Sequence, residues 1–211
     1  MGHARVVLPA GREGEHSFRM RIFVTVGNAL VPFDRLLRWV DEATSALPVP
    51  VEGVCQRGPS RVRPGALTPR EHLSRAEFER EMNDADVVIC HAGVGTLSDA
   101  IRRGHRPIVA PRRAAFGEIV NDHQLEIVAA LGDEGRVEVV EDAGSLRAAL
   151  LRYTRGEVRR GPPRDEDPLR LLPVARAIAE GPARARPPLL GSLALRALAA
   201  LGPRLDRLRV R

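Results

Sequence analysis

The sequence predicts an α/β fold in which a parallel sheet is flanked by helices. Two observations support this prediction. Short apolar runs rich in Val and Ile alternate along residues 20–155 with amphipathic segments at helical spacing. Turns rich in glycine and polar residues follow these runs, as at residues 91–96. Because strands that alternate with helices are typical of parallel sheets covered on both faces, one layered domain is predicted.

The first half of this domain opens with a strand and a helix. Ile22–Val26 is a β-branched run that ends at Gly27 and predicts a buried first strand. Residues 49–56 predict the second strand, and the Pro- and Arg-rich residues 59–69 predict a loop. Between the two strands, Phe33 and Asp34 lead into a predicted helix. One apolar face of this helix is formed by Phe33, Leu36, Leu37 and Val40.

The centre of the predicted domain is a strand, a glycine turn and a helix. Residues 75–83 predict a helix, with Ser74 as its N-cap, that leads into the third strand at residues 86–90. The turn 91–96 and a helical segment over residues 97–104 follow. Glycines let a backbone approach a phosphate, and a helix N-terminus offers unpaired N–H groups and a positive dipole. Since ligands of open parallel sheets lie at the carboxyl ends of strands, this stretch is the predicted binding region.

The second half continues the alternation. Residues 107–111 predict the fourth strand, residues 137–140 a last short strand, and residues 143–151 a closing helix. Asp122 precedes another segment with helical periodicity and is predicted to be its N-cap.

Four pieces of this sequence carry a family resemblance. They are residues 23–27 with 32–34, residues 85–96, residues 107–112 and residues 122–124. In this order they resemble the nucleotide-sugar-binding half of glycosyltransferase family 28. Within it, the chain looks like the small catalytic subunit of two-component UDP-sugar transferases of the dolichol-oligosaccharide and bacterial exopolysaccharide type. The resemblance implies a Rossmann-like parallel sheet flanked by helices, equivalent to the C-terminal half of a GT-B glycosyltransferase.

The resemblance also implies a donor-binding site. Its residues would be Gly27, Asn28, His91, Gly93, Gly95, Thr96, Asp99, Arg112, Glu118, His123 and Gln124. By resemblance, the glycine turn and Thr96 contact the diphosphate, and Asp99 accepts the ribose hydroxyls at a position where Glu is usual. His123 and Gln124 contact hydroxyls of the donor sugar.

Several of these positions have more specific interpretations. Asn28 stands where relatives have threonine, and its side-chain amide could donate to a phosphate. For His91, a phosphate contact and a structural role both stay open. Arg112 or Arg113 could pair with the carboxylate of a glucuronate donor. Glu118 lies in the loop where relatives hold an acidic residue close to the donor sugar.

Sugar transfer needs neutralisation of the leaving diphosphate, recognition of both substrates and a base for the acceptor hydroxyl. The sequence identifies no residue as the base. The predicted site uses neither a metal ion nor a cofactor beyond the UDP-sugar donor, because backbone N–H groups and a helix dipole are expected to replace the ion. Two-domain relatives carry the acceptor site in a second nucleotide-fold half. The predicted partner is therefore a membrane-anchored subunit that binds a lipid-linked sugar acceptor.

The predicted function is that of the catalytic, donor-binding subunit of a bipartite glycosyltransferase. It would move a hexosyl group from a UDP-sugar to the lipid-linked acceptor in polysaccharide or glycolipid synthesis. The family default is N-acetylglucosamine, and glucuronate is the other candidate. A nucleotide-sugar epimerase and a non-catalytic UDP-sugar-binding subunit remain as alternatives.

Charge and cysteine content limit the function classes. Residues 1–150 hold 19 Arg against 21 acidic residues, whereas residues 151–211 hold 14 Arg against 6. Because a nucleic-acid-binding domain carries its basic patch on the folded part, nucleic acid is not a predicted partner. Cys55 and Cys90 lack metal-like spacing and predict reduced thiols in a cytoplasmic protein. The predicted location is the inner face of the cell membrane, reached through the partner, with the C-terminal tail as a second candidate contact.

Composition divides the chain into four segments. Residues 1–19 predict a disordered extension, or sequence upstream of the true start at Met20. Residues 20–155 form the predicted nucleotide-sugar-binding domain, and residues 156–188 a Pro- and Arg-rich linker. Residues 189–211 predict a basic amphipathic tail, which could lie on an anionic membrane, dock on a partner helix or stay solvated.

Overall fold

The protein is described by a computed structural model, which covers residues 18–120 and 123–164. Six parallel strands form one sheet in the order β3-β2-β1-β4-β5-β6. The strands are β1 (Met20–Thr25), β2 (Val51–Gln56), β3 (Thr68–Arg70), β4 (Val87–Cys90), β5 (Ile108–Val109) and β6 (Glu138–Val139). The predicted parallel sheet is therefore confirmed.

Helices connect the strands. They are α1 (Asp34–Ser45), α2 (Arg75–Asp84), α3 (Val94–Arg102), α4 (His123–Asp133) and α5 (Ala143–Thr154), with a 3₁₀ turn at Ala114–Phe116. Ser74 caps α2 as predicted, since its side chain accepts from the Glu77 amide and the Glu77 side chain accepts from the Ser74 amide. Helix α3 begins at Val94 rather than at Leu97, so it includes the second half of the predicted glycine turn.

The prediction of an uninterrupted loop over residues 59–69 was wrong. Thr68–Arg70 forms the edge strand β3, in which Pro69 lies opposite Cys55 of β2. Proline cannot donate to a ladder hydrogen bond, so it is tolerated on an edge strand and not in the middle of a sheet. Three exposed residues with a central proline carry no strand-like pattern.

Both faces of the sheet are covered, as the alternation along β1 shows. Met20, Ile22 and Val24 point into the larger core, which α1 and α5 close. Phe23 points to the other face and joins the smaller core with residues of α2, β4 and α3. Because successive side chains of a strand point to opposite faces, a strand with apolar residues at every position is buried on both sides.

The strand order reverses at β1. The chain leaves β1 toward β2 and β3, then returns through α2 to β4 on the other side of β1. At such a point the loops after the two strands diverge and leave a crevice at the carboxyl ends, where ligands of open α/β sheets bind. Thr25 pairs with Cys90 at the ends of β1 and β4, so the loops after residues 25 and 90 border this crevice.

The described part of the predicted linker returns to the domain. The amide of Gly161 donates to the carbonyl of Gly104 at 2.8 Å, and the amide of Arg164 donates to the carbonyl of Arg102 at 2.7 Å. Residues 156–164 thus lie against the end of α3. Residues 1–17, the rest of the predicted linker and the predicted tail lie outside the described residues. Within residues 18–120 and 123–164, no helix has the length and apolar character that crossing a membrane requires.

Candidate functional site

A cavity of about 440 Å³ opens at the carboxyl ends of β1, β2 and β4. Seven of the predicted site residues line this candidate donor cavity: Gly27, Asn28, His91, Gly93, Gly95, Thr96 and Asp99. Six further residues complete the described lining: Thr25, Gln56, Leu73, Arg75, Phe78 and Val94. The sheet therefore brings together residues that are up to 74 positions apart in the chain, from Thr25 to Asp99.

The N-terminus of α3 opens into the candidate donor cavity. Its N-cap is Gly93, and no side chain caps the helix. The first N–H groups of a helix have no intrahelical partner, and they lie at the positive end of its dipole. A Cβ built on Gly95 would have nothing within 4 Å, so the first turn is open to the cavity. This arrangement suits an anion such as a diphosphate.

The imidazole of His91 lies between two glycines. A Cβ built on Gly27 would be 2.4 Å from Cε1 of His91, and one built on Gly93 would be 2.2 Å from Nε2. Gly27 also has a φ of +75°, which L side chains rarely adopt. Glycine is therefore required at both positions by the ring itself.

His91 is uncharged at neutral pH. Burial lowers the pKa of His91 to about 4, and the charge of Arg112 acts in the same direction. Its Nδ1 atom is buried, with no hydrogen-bond partner among the described residues. A neutral imidazole keeps one N–H donor and one acceptor. The ring can thus contribute a hydrogen bond at the floor of the cavity but not a full positive charge.

A polar network orders the loop after β1. The Thr25 hydroxyl donates to the Gln56 side-chain oxygen at 3.2 Å, and the Gln56 amide donates to Oδ1 of Asn28 at 3.1 Å. The backbone amide of Gly27 donates to the Thr25 hydroxyl oxygen at 3.2 Å. The side-chain oxygen of Asn28 is therefore occupied. Its side-chain nitrogen is the donor that could contact an anion.

Asp99 lies one turn into α3 and is held by two arginines. Nη1 of Arg75 is 2.9 Å from its Oδ2 atom, and Nη1 of Arg103 is 3.1 Å from Oδ1. Burial acts to raise the pKa of Asp99, but the hydrogen bonds and charges of the two arginines outweigh it and hold this pKa below its usual value. The carboxylate is thus ionised, which suits an acceptor of hydroxyl hydrogen bonds.

The α2 side of the cavity is largely apolar. Leu73 and Phe78 line it, and the Phe78 ring packs edge-on against Phe23 with the ring centres 5.3 Å apart. The Arg75 guanidinium lies 6.0 Å from the centre of the Phe78 ring. A flat apolar wall beside a carboxylate and a helix N-terminus is what a nucleoside diphosphate needs.

Two predicted contacts of the donor sugar have a different place in the structure. Arg112 is 1% exposed and does not line the candidate donor cavity. Its guanidinium donates to the carbonyls of Val26 and Val31, each at 3.0 Å, and to that of Glu118 at 3.2 Å. It therefore joins the loop after β1 to the loop after β5. A buried arginine needs such acceptors, and here backbone carbonyls supply them.

Glu118 also forms its hydrogen bonds with other residues of the protein rather than facing the cavity. Its two carboxylate oxygens accept from Nε and Nη2 of Arg35 at 2.9 and 2.7 Å, and its Oε2 accepts from the Arg113 amide at 3.0 Å. Glu118 is 7% exposed and does not line the cavity. Arg113, the second candidate partner of a donor carboxylate, pairs with Glu141 at 2.7 Å.

The remaining predicted residues begin α4. The Gln124 side-chain oxygen accepts from the Arg112 amide at 3.3 Å, and Gln124 is not among the lining residues. His123 is the first residue of α4, but its side chain lies outside the described residues, as does the predicted N-cap Asp122. Across the described residues, no group of three or more His, Cys, Asp or Glu is placed to hold a metal ion.

Comparison with solved structures gives several glycosyltransferases. The glycotransferase of kitacinnamycin is 20% identical, with a TM-score of 0.47, and the match covers 69% of this chain and 38% of that one. MurG of Acinetobacter baumannii is 18% identical, with a TM-score of 0.49, and 68% and 44% of the two chains are covered. CalG4, the calicheamicin glycosyltransferase, is 17% identical, with a TM-score of 0.47 and coverage of 71% and 38%. The match thus spans less than half the length of each of these proteins. Comparison with curated proteins gives no match.

Comparison with family models gives one that matches most of the chain. It is the glycosyltransferase family 28 C-terminal domain, which matches residues 21–165 of the 211. This range contains β2 to β6, all of β1 except Met20, and the whole of the candidate donor cavity. The resemblance of the sequence to this family is confirmed. The chain belongs to the glycosyltransferase family 28 C-terminal domain family.

Proposed function

We propose that the chain is the donor-binding catalytic subunit of a bipartite glycosyltransferase. It moves a hexosyl group from a UDP-sugar to a lipid-linked acceptor in polysaccharide or glycolipid synthesis. One observation carries the proposal: the uncapped N-terminus of α3 opens into the candidate donor cavity, with the ionised Asp99 one turn further along the same helix.

The cavity offers a place for each part of a UDP moiety. The diphosphate lies at the first turn of α3, where backbone N–H groups and the hydroxyl of Thr96 donate to it. Asp99 accepts the ribose hydroxyls. The uracil ring lies against the apolar wall of Leu73 and Phe78.

The same groups support the transfer step. The acceptor hydroxyl oxygen forms a bond to the anomeric carbon of the sugar, the bond from that carbon to the diphosphate oxygen breaks, and UDP leaves with the electron pair. The developing charge on UDP is stabilised by the N–H groups and dipole of α3, in the place that a metal ion takes in other transferases.

The base that removes the proton of the acceptor hydroxyl is expected from a second subunit. Asp99 is the carboxylate among the described lining residues, and two arginines engage it. Glu118 is held by Arg35 away from the cavity. A carboxylate in an ion pair at low pKa is a poor base at neutral pH. The partner that binds the lipid-linked acceptor therefore supplies this group.

Exposed apolar side chains near the cavity support such a partner. Leu30 is 93% exposed, Phe116 60% and Val120 96%. All three lie in loops that follow β1 or β5 at the carboxyl edge of the sheet. Arg112 joins these loops through the carbonyls of Val31 and Glu118, so they are neighbours. We infer that a partner that covers these exposed side chains brings the chain to the inner face of the membrane.

For the donor sugar, N-acetylglucosamine is the first candidate. A glucuronate donor would need a cation for its carboxylate. Arg112 is buried and its two terminal nitrogens donate to backbone carbonyls, and Arg113 pairs with Glu141. The structure thus gives the glucuronate alternative less support than the sequence did.

The test is calorimetric titration of the full chain with UDP-N-acetylglucosamine, UDP-glucuronate, UDP-glucose and UDP. Binding of UDP and of one sugar nucleotide is expected, and Asp99→Ala should weaken it. Asp84→Ala is the matched control, since Asp84 is an exposed carboxylate at the end of α2, outside the cavity. Failure of a folded sample to bind any of the four ligands would overturn the donor site.

The two alternatives predict different fates for the bound UDP-sugar. An epimerase converts the sugar of its UDP-sugar without an acceptor, which chromatography of the nucleotide after incubation detects. A non-catalytic subunit binds the UDP-sugar but does not release UDP in the presence of membranes that carry the acceptor and the partner. Release of UDP under that condition alone supports the transferase.

A further inference from the structure

A second cavity, of about 540 Å³, lies at the amino ends of β5 and β6. The candidate donor cavity lies at the opposite, carboxyl ends of the strands. Three segments form it: the turn from α3 to β5, the turn from α4 to β6, and residues 159–164. The titratable residues of its lining are His105, Arg106, Glu134, Arg136, Arg159 and Arg164. We propose that this basic cavity is a second binding site, for a phosphate-bearing anion.

The described lining of the basic cavity carries a net positive charge. Its one carboxylate, on Glu134, is 2.6 Å from Nε of Arg136, so these two side chains neutralise each other. Arg106, Arg159 and Arg164 have no carboxylate partner within the described ranges 18–120 and 123–164. Three guanidinium charges that share one cavity repel each other unless an anion lies between them.

The segment that carries two of these arginines is fixed in place. The Gly161 amide donates to the carbonyl of Gly104 at 2.8 Å, and the Arg164 amide donates to that of Arg102 at 2.7 Å. A Cβ on Gly104 would be 2.1 Å from the carbonyl oxygen of Gly161, so this close approach needs a glycine there. These bonds also give carbonyls at the end of α3 the hydrogen-bond partners that they lack within the helix.

Arg106 points to the class of ligand. Its backbone is held by the Tyr153 hydroxyl, which donates to the Arg106 carbonyl at 2.5 Å. Its side chain is half-buried and lines the basic cavity, so its guanidinium can meet an anion there. The planar guanidinium matches two phosphate oxygens at once, which favours phosphate over a spherical anion.

The experiment is a nuclear magnetic resonance titration of the ¹⁵N-labelled full chain with inorganic phosphate, at constant ionic strength against chloride. The amide resonances of Gly104, Gly135 and Gly161, which line the basic cavity, should move. Arg106→Gln should weaken the phosphate affinity about tenfold, as loss of a charge-assisted bidentate pair implies. Arg61→Gln, on the exposed loop before β3, is the matched control and should leave the affinity unchanged.

A second variant keeps the test decisive if Arg106→Gln does not fold. The exposed pair Arg159→Gln and Arg164→Gln removes two charges without touching the core. Flotation with vesicles of phosphatidylglycerol against phosphatidylcholine distinguishes the source of the phosphate. If the wild type binds the anionic vesicles and the double variant does not, the ligand is a lipid headgroup. If phosphate shifts the resonances but the chain does not bind vesicles, the ligand is a soluble phosphate compound.

Two outcomes would overturn the proposal. One is that phosphate moves only the resonances of Gly93 and Gly95, at the candidate donor cavity. The other is that phosphate moves no resonance in either of two proteins. These are the full chain and a variant whose acidic run, residues 165–167, is changed to Asn-Gln-Asn. This variant is included because the run directly follows Arg164 in the sequence and carries three negative charges.

Discussion

Arg75 of α2 and Asp99 of α3 form an ion pair at the candidate donor cavity, with 2.9 Å between Nη1 and Oδ2. The partner on the same helix, Arg103, contacts the other carboxylate oxygen. Arg75 is 65% exposed at its side chain and also pairs with Glu79, so it is the more easily displaced of the two arginines. If a ribose displaced Arg75, Arg103 would still orient the Asp99 carboxylate and keep it charged.

Asp99 is expected to contribute to nucleotide affinity through this carboxylate. Asp99→Ala should raise the Kd for UDP about tenfold to a hundredfold, because hydrogen bonds to charged groups contribute about 1.5–3 kcal/mol. Arg75→Ala should not weaken UDP binding comparably, since the ribose displaces that side chain. Calorimetry on both variants checks this, and an equal loss in the two would contradict the proposed displacement of Arg75.

Gly93 is expected to tolerate a side chain only when the ring of His91 is absent. Gly93→Ala should lower the free energy of unfolding by about 1–3 kcal/mol, the usual cost of overpacking. In a His91→Ala background the same change should cost much less, since the space the Cβ needs is then open. Urea unfolding of the two single variants and the double variant gives the coupling energy, and additive effects would disprove the contact.

Removal of Glu118 is expected to destabilise the fold. Its carboxylate pairs with Arg35 through two hydrogen bonds at a buried site, and Arg35 also lies over the rings of Phe33, Trp39 and Phe116. Glu118→Ala should cost about 3 kcal/mol, because it leaves the half-buried guanidinium of Arg35 without its carboxylate.

Two controls accompany this variant. Glu71→Ala removes an exposed carboxylate that pairs with Arg57, and should cost less than about 1 kcal/mol. The double change Arg35→Met with Glu118→Leu should recover most of the loss, since an apolar pair can replace a buried ion pair. If Glu118→Ala costs no more than Glu71→Ala, the pair does not hold the loop after β5.

The stability of the domain is expected to decrease on acidification because of His91. The pKa of this residue is about 4 in the fold against 6.5 ordinarily, so the unfolded chain takes up the proton first as the pH falls. The contribution of the neutral ring is therefore fully present above pH 6.5 and is lost between 6.5 and about 4. Over that range His91→Gln should reduce the fall in unfolding free energy by about 1–3 kcal/mol. His72→Gln, at an exposed position, is the control, and parallel curves for wild type and His91→Gln would refute the assignment.

The sequence was a good guide to those elements whose pattern is local. The runs at residues 22–26 and 86–90 are apolar at nearly every position, and both are central strands of the sheet. The glycine turn at residues 91–96 was identified because a phosphate-binding backbone requires small residues there. In these cases the residues that determine the structure lie within a few positions of each other. The local pattern is therefore sufficient to predict the element.

The sequence was a poor guide where the outcome depends on long-range packing. Leu73, Arg75 and Phe78 reach the candidate donor cavity because β4 lies beside β1, which no local pattern states. Arg112 and Glu118 are charged residues in a loop, and charge in a loop usually indicates exposure. Both are instead buried by partners up to 86 positions away, such as Val26 for Arg112.

The two edge strands of the described sheet limit edge-to-edge aggregation. The outermost strands are β3, with three residues and a proline, and β6, with two residues. Each presents few backbone donors and acceptors to a passing chain, so neither can template the addition of a further strand. A domain built in this way resists edge-to-edge aggregation.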